Sequence, residues 1–168
     1  MATPLTTLDH RYSDPRATAV EWDQARKALQ TAELFWVSTV RADGRPHVTP
    51  VVAVWAEGAV GFSTGPGEQK FANLRANPHV VVTTGCNRWD QGLDVVVEGE
   101  AIAITGEDTL KRLAAAFTMK WDGRWQFEVR DGSFHHPGGG PAMVFSVTPV
   151  KVFAHAKGDP FGATTHKF

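Results

Sequence analysis

Apolar positions in this chain fall into short β-branched blocks set off by turn residues, with a helical rhythm intervening in three places. The densest stretch covers residues 34–78. Residues 34–40 (LFWVSTV) predict a strand, Asp43-Gly44 a hairpin turn, and residues 47–55 a second strand. Glu57-Gly58 predicts another turn, and residues 59–64 a third strand. Gly65-Pro66-Gly67 then breaks the pattern, and residues 68–76 predict a short helix with Phe71 and Leu74 on one face. Asn77-Pro78 ends it, because the residue before a proline is driven out of the α region.

Upstream, residues 1–17 are expected to form an extended arm, leaving residues 18–168 as a single domain. Thr18 and Glu21 make a T-x-x-E capping box, and Trp22, Ala25, Ala28, Leu29 and Ala32 give the helix behind it one apolar face. Downstream, residues 79–84 predict a fourth strand and residues 86–91 a loop carrying Arg88 and Trp89. Residues 93–104 predict a fifth strand, with Gly99 marking a bulge or bend. A second long helix opens at residues 105–108, its stripe formed by Leu110, Leu113, Ala114 and Phe117. Residues 121–140 are irregular, with a short strand over 125–129, and residues 142–154 form the sixth long strand. The tail, residues 158–168, is too polar and turn-rich for a core strand, yet it ends on Phe168.

Six strands joined mostly by hairpins predict a mainly β (α+β) fold, an antiparallel six-stranded barrel of Greek-key type with peripheral helices. Blocks such as VVAVW are apolar at nearly every position, so one strand face is expected to meet the barrel interior and the other a helix or a second subunit.

Composition narrows the function classes. At 168 residues and a net charge of −1, the chain offers no electrostatic case for nucleic acid or an anionic membrane. It has no apolar run of membrane-spanning length and no basic-then-apolar leader, so neither a membrane span nor a signal peptide is expected. The single cysteine, Cys86, excludes an internal disulfide and points to a reducing cytoplasm; it is expected to be a small buried side chain. Six tryptophans suit a flat ligand or a large subunit interface. His135-His136 lack a third ligand at metal-binding spacing, so no metal site is expected, and no nucleophile elbow or HExxH pattern occurs. No catalytic side chain is therefore assigned. The strongest chemical signal is a strand, a Gly-Pro-Gly corner and a helix start bearing Gln69 and Lys70, which together favour a phosphate.

Four segments carry a resemblance: DGRPHVTPV (43–51), FSTGPGEQKFANLRANPHV (62–80), VVVEGEA (95–101) and VFAHAKGDPFGATTHKF (152–168). In order and spacing the chain resembles the flavin-binding split β-barrel superfamily, the pyridoxamine 5′-phosphate oxidase-like proteins, and leans to the branch that uses a deazaflavin. The resemblance implies FMN or coenzyme F420 as cofactor, held at the interface of a homodimer. The backbone of His47, Val48, Thr49 and Pro50 would run along the isoalloxazine edge. Ser63 and Thr64 would sit at the phosphate and ribityl end, with Gln69 and Lys70, the latter a surface lysine, holding the phosphate. Trp89, Thr164, His166 and Phe168 would complete the pocket from the partner subunit, the tail being ordered against it. True pyridoxamine phosphate oxidases carry an arginine at the position of Val96 and an arginine-bearing tail, so that specific activity is not expected. The implied activity is hydride transfer between the cofactor and a small unsaturated substrate. An FMN enzyme passing electrons to oxygen or a quinone, and a non-catalytic module that stores a flavin or senses a tetrapyrrole, are the alternatives.

Overall fold

Strand β1 (Leu5–Leu8) lies inside the expected arm, in a computed structural model that describes residues 3–168; the first two residues of the arm fall outside the described residues. Helix α1 (Trp22–Thr31) begins later than Thr18 implies. Glu21 is its N-cap, and the Glu21 N–H donates to Gln24 Oε1 at 3.2 Å, so the capping box is E-x-x-Q. Thr18 cannot cap because the next residues are tied to the far end of the chain: the Val20 N–H donates to Thr164 Oγ1 at 2.9 Å.

Strand β2 (Phe35–Val40) and strand β3 (Pro46–Val51) form the hairpin that Asp43-Gly44 predicts, Gly44 taking φ +83°. The strand expected over 47–55 breaks at Val52 into β3 and β4 (Ala53–Ala56), because the two halves have different partners. β4 turns at Glu57-Gly58, both at positive φ, into β5 (Ala59–Thr64). Then come α2 (Gln69–Ala76), β6 (His79–Thr84), β7 (Gly92–Ile104) and α3 (Glu107–Lys120), each at or within a residue or two of its expected place. The strand expected over 125–129 is replaced by a small hairpin of β8 (Glu128–Arg130) and β9 (Ser133–His135), turned by Asp131-Gly132. Trp125 and Phe127 instead pack with Phe117 of α3, the Phe117–Phe127 centroids lying 5.3 Å apart. β10 (Pro141–Lys157) runs three residues beyond the strand expected to end at 154.

The tail departs most from expectation. Residues Gly162–Lys167 form β11, laddered to β10 on one side and β1 on the other. Its inward positions are polar but bonded: Thr164 Oγ1 accepts from Val20, and His166 Nδ1 lies 2.9 Å from Thr6 Oγ1.

β10 organises the sheet. Residues 143–147 pair with β5, residues 151–156 pair with β11, and the opposite edge pairs with β7 almost throughout. The register slips by one between Pro149 and Lys151, a bulge opposite Gly99. A Cβ on Gly99 would stand 2.5 Å from Thr148 O, so this close backbone approach requires glycine. The ladder runs β4-β5-β10-β7-β6-β2-β3, and among the described residues no ladder joins its ends, β3 and β4: this is the split barrel the resemblance implies, with additional strands. Its interior is filled by Phe35, Val37, Phe62, Val82, Val97, Val147 and their neighbours, while α3 covers a second core outside β4.

Candidate cofactor site

The barrel presents one broad outer face, across which side chains line up in directly paired rows. One row is Pro50–Trp36–Thr83–Val96–Phe153–Thr165; the next is Val48–Ser38–Val81–Glu98–Lys151. β3 ends the ladder on this side, so one edge of its backbone is unspent. Which groups face out follows from the hairpin. The Arg41 N–H donates to Arg45 O at 2.9 Å, and hydrogen-bonded pairs alternate along an antiparallel ladder. The pairs at His47 and Thr49 are therefore bonded to β2, and Pro46, Val48 and Pro50 direct their backbone groups outward. Two of these three are prolines, which lack the donor and fit a strand only at such positions. Val48 is left as the sole outward N–H of this stretch, beside a side chain that is itself exposed. His47 points the other way, Nδ1 resting 3.4 Å from the buried Thr39 hydroxyl.

The Gly-Pro-Gly corner follows β5. Ser63 is half-buried and Thr64 buried at its end. Gln69 is exposed, its Oε1 accepting from Arg41 Nη1 at 3.0 Å and its Nε2 donating to Asn73 Oδ1 at 2.8 Å. Asn73 in turn donates to Thr39 Oγ1 at 2.8 Å, which fixes α2 to β2. Lys70 is not a surface lysine: it is 4 % exposed and ion-paired with Glu68. The helix start tucks its stem against the barrel and turns the ammonium back toward the corner. There the Glu68 carboxylate collects three donors. Its Oε1 accepts from the Gly65 N–H at 2.6 Å and the Thr64 hydroxyl at 3.2 Å, and its Oε2 accepts from Lys70 Nζ. Partial burial pulls this carboxyl upward, but the Lys70 and Gly65 hydrogen bonds and the lysine charge hold it below its ordinary value. Glu68 and Arg41 were not singled out from sequence. The only available sign was their position, Glu68 just after Gly67 and Arg41 just before Asp43-Gly44.

The remaining expected residues lie at the other edge of the face. Trp89 is 90 % exposed in the loop before β7 and borders a cavity of about 890 Å³ shared with Tyr12, Phe153, Phe161 and Thr164. The Thr164 and His166 side chains are sealed against Val20 and Trp22, and the Phe168 ring packs on Trp22 of its own chain with centroids 5.0 Å apart. Cys86 is exposed rather than buried, because residues 86–91 leave the sheet and carry the thiol with them. Four strand steps separate β3 from β10 along the curved sheet, and on β10 itself Met143, paired with Thr64 at the corner, stands ten residues from Phe153 of the cavity, roughly 30 Å at ordinary strand rise. One chain therefore does not bring the two groups together.

A family model described as pyridoxamine 5′-phosphate oxidase matches residues 22–156. No curated protein matches. Among solved structures, a proposed 5-nitroimidazole antibiotic resistance protein of Bacteroides thetaiotaomicron superposes with TM-score 0.68 at 14 % identity, over 96 % of this chain and 90 % of that one. An FAD-binding protein of Mesorhizobium loti gives 0.60 at 15 % identity, over 89 % and 96 %. An F420 reductase gives 0.56 at 22 % identity, over 76 % and 94 %. At these identities the superpositions speak to the fold alone.

Proposed function

The chain belongs to the pyridoxamine 5′-phosphate oxidase family, and from that premise we propose that it is an oxidoreductase passing a hydride between coenzyme F420 or FMN and a small unsaturated substrate. The observation that carries the reading is the corner at the end of β5, where a buried ammonium, a hydroxyl and a backbone N–H converge on one anion-sized position. Such a donor set fits a phosphate, since charge-assisted bonds at a fixed site are the strong ones. The second support is the spare edge of β3, whose outward Val48 N–H and flanking carbonyls match the alternating acceptors and donors of a flavin-type ring edge.

In this reading Lys70, Thr64 and Gly65 hold the phosphate, Ser63 lies beside the ribityl chain, and Val48 fixes the ring edge. The cofactor, when bound, supplies the hydride chemistry. The protein orients the ring, excludes water with the apolar side chains of the outer face, Trp36 and Val48 among them, and offers a donor where charge develops on the ring. Val96, between Thr83 and Phe153 on that face, brings no charge for a second phosphate, which argues against pyridoxamine 5′-phosphate as the substrate. We further propose a homodimer in which two outer faces meet and the Trp89 edge of one subunit approaches the β3 edge of the other. A cytoplasmic home suits the exposed, unpaired thiol of Cys86.

Parallel titrations with FMN and coenzyme F420, read by quenching of intrinsic tryptophan fluorescence, test the proposal. One of the two should saturate at micromolar concentration, and the bound form should be reducible by a donor and reoxidised by an acceptor. A ligand that binds but stays redox-idle would favour the storage or sensing alternative; binding of neither would end the reading.

A further inference from the structure

We propose that Glu68 is a built-in competitor for the phosphate seat: its carboxylate fills the anion position when no ligand is present and must swing out for one to enter. The inference rests on the proposed phosphate role of the corner. Its own support is the geometry of the side chain. Glu68 is the N-cap residue of α2, but its carboxylate makes no capping bond to the helix amides. It folds back over Gly65 instead, close enough that a Cβ on that glycine would lie 3.3 Å from Oε1. Both oxygens are used there, one by Gly65 and Thr64 and the other by Lys70.

The three donors and the carboxylate differ in mobility. Lys70 and Thr64 are sealed, with 4 % and 2 % exposure, whereas the Glu68 side chain is 49 % exposed on the solvent side. Rotation about the glutamate's own side-chain bonds would release it into water without disturbing the barrel. A free carboxylate is well hydrated, so leaving costs little, while the buried ammonium cannot follow it. Lys70 therefore needs an anion at all times, and Glu68 keeps it neutralised until a phosphate replaces it. The exchange is one anion for another with no net change in hydrogen-bond count. A dianionic phosphate monoester, as on FMN, gains over the carboxylate through its second charge and third oxygen. The seat thus favours a monoester over the singly charged phosphodiester of coenzyme F420, over a carboxylate and over a neutral ligand, which could not repay the displacement.

Inorganic phosphate is the direct probe, because its binding does not depend on which cofactor the protein uses. Glu68→Ala should lower the melting temperature of the ligand-free protein, and millimolar phosphate should restore it; the wild type should respond far less. Glu68→Gln keeps an oxygen for Gly65 and Thr64 but drops the charge, and should show the same phosphate response with a smaller initial loss. Both variants should bind phosphate roughly ten- to a hundredfold more tightly than wild type, the worth of one charge-assisted contact. The gain should vanish when Lys70→Met is added to either variant. Equal phosphate affinity in wild type and both variants, or a gain that survives Lys70→Met, would overturn the inference. Riboflavin, which has no phosphate, should bind all forms alike. A phosphate gain without binding of FMN or coenzyme F420 by any form would sustain the seat and its competitor while refuting the cofactor reading.

Discussion

His166 is completely buried, yet its Nε2 is a buried side-chain nitrogen with no partner among the described residues. Its ring stands edge-on to Trp22 at 5.3 Å, and burial depresses its pKa against a weaker opposing pull from Glu21. The unfolded chain would protonate this ring near pH 6.5, whereas the native state resists until lower pH. The unfolded state thus binds more protons in that window, and stability is lost as pH falls through it. The urea midpoint should drop between about pH 7 and pH 5.5, and His166→Phe should flatten that drop. Equal slopes in the two proteins would count against it. Lys120 behaves analogously at the alkaline end. Its ammonium lies over the rings of Phe35 and Trp121 and donates to Ala53 O at 2.9 Å. Desolvation lowers its pKa to about 8 against the pull of Glu33, so stability should rise between pH 8 and the unfolded value of 10.5, and Lys120→Met should remove the rise.

At the scale of elements, β11 reverses an expectation. As a pocket wall supplied to the partner subunit, residues 164–168 would matter to cofactor binding more than to folding; with β11 laddered on both sides, their loss falls on the fold. Truncation should lower the melting temperature steeply, by an amount corresponding to roughly 3 kcal/mol or more, since two ladders and the Val20–Thr164 tie go together. A truncated chain melting like the full one would show that the ladder contributes nothing. β3 gives the converse case. Val48→Pro removes an outward N–H that no ladder uses, so stability should stay within about 0.5 kcal/mol while cofactor affinity falls about tenfold. These two strands also mark where the sequence was legible. Asp43-Gly44 and Glu57-Gly58 announced their hairpins because the turns demand positive φ. The long strands followed from β-branched blocks, and Leu110, Leu113, Ala114 and Phe117 drew the buried face of α3. β11 alternates just as regularly, but its inward residues are Thr164 and His166, so a reading that follows apolar side chains passes over it. Lys70 was recognisable by its place after Gly-Pro-Gly. That Glu68 folds back onto the same corner depends on side-chain torsions, which leave no trace in residue order.

At the scale of the whole molecule, the outer face remains uncovered in one chain. Trp36, Val48 and Val150 are 40 %, 56 % and 63 % exposed on the β2-β3 side and at the β10 bulge. The proposed homodimer would cover this patch, two like faces meeting about a twofold axis. Light scattering should give twice the 18.3 kDa chain mass, and Trp36→Glu should shift it toward the single-chain value. A wild-type mass at the single-chain value would refute the dimer. Another property follows from β1 lying against β11, with Leu5 opposite Lys167. The ends of the described chain adjoin, so the path is close to a ring that happens to be open at one point. Joining the ends with a short Gly-Ser linker and cutting instead at Gly139, in the exposed turn between β9 and β10, would give a circular permutant with every strand pair intact. In such a protein β10, the strand on which the sheet converges, would be made first instead of near the end.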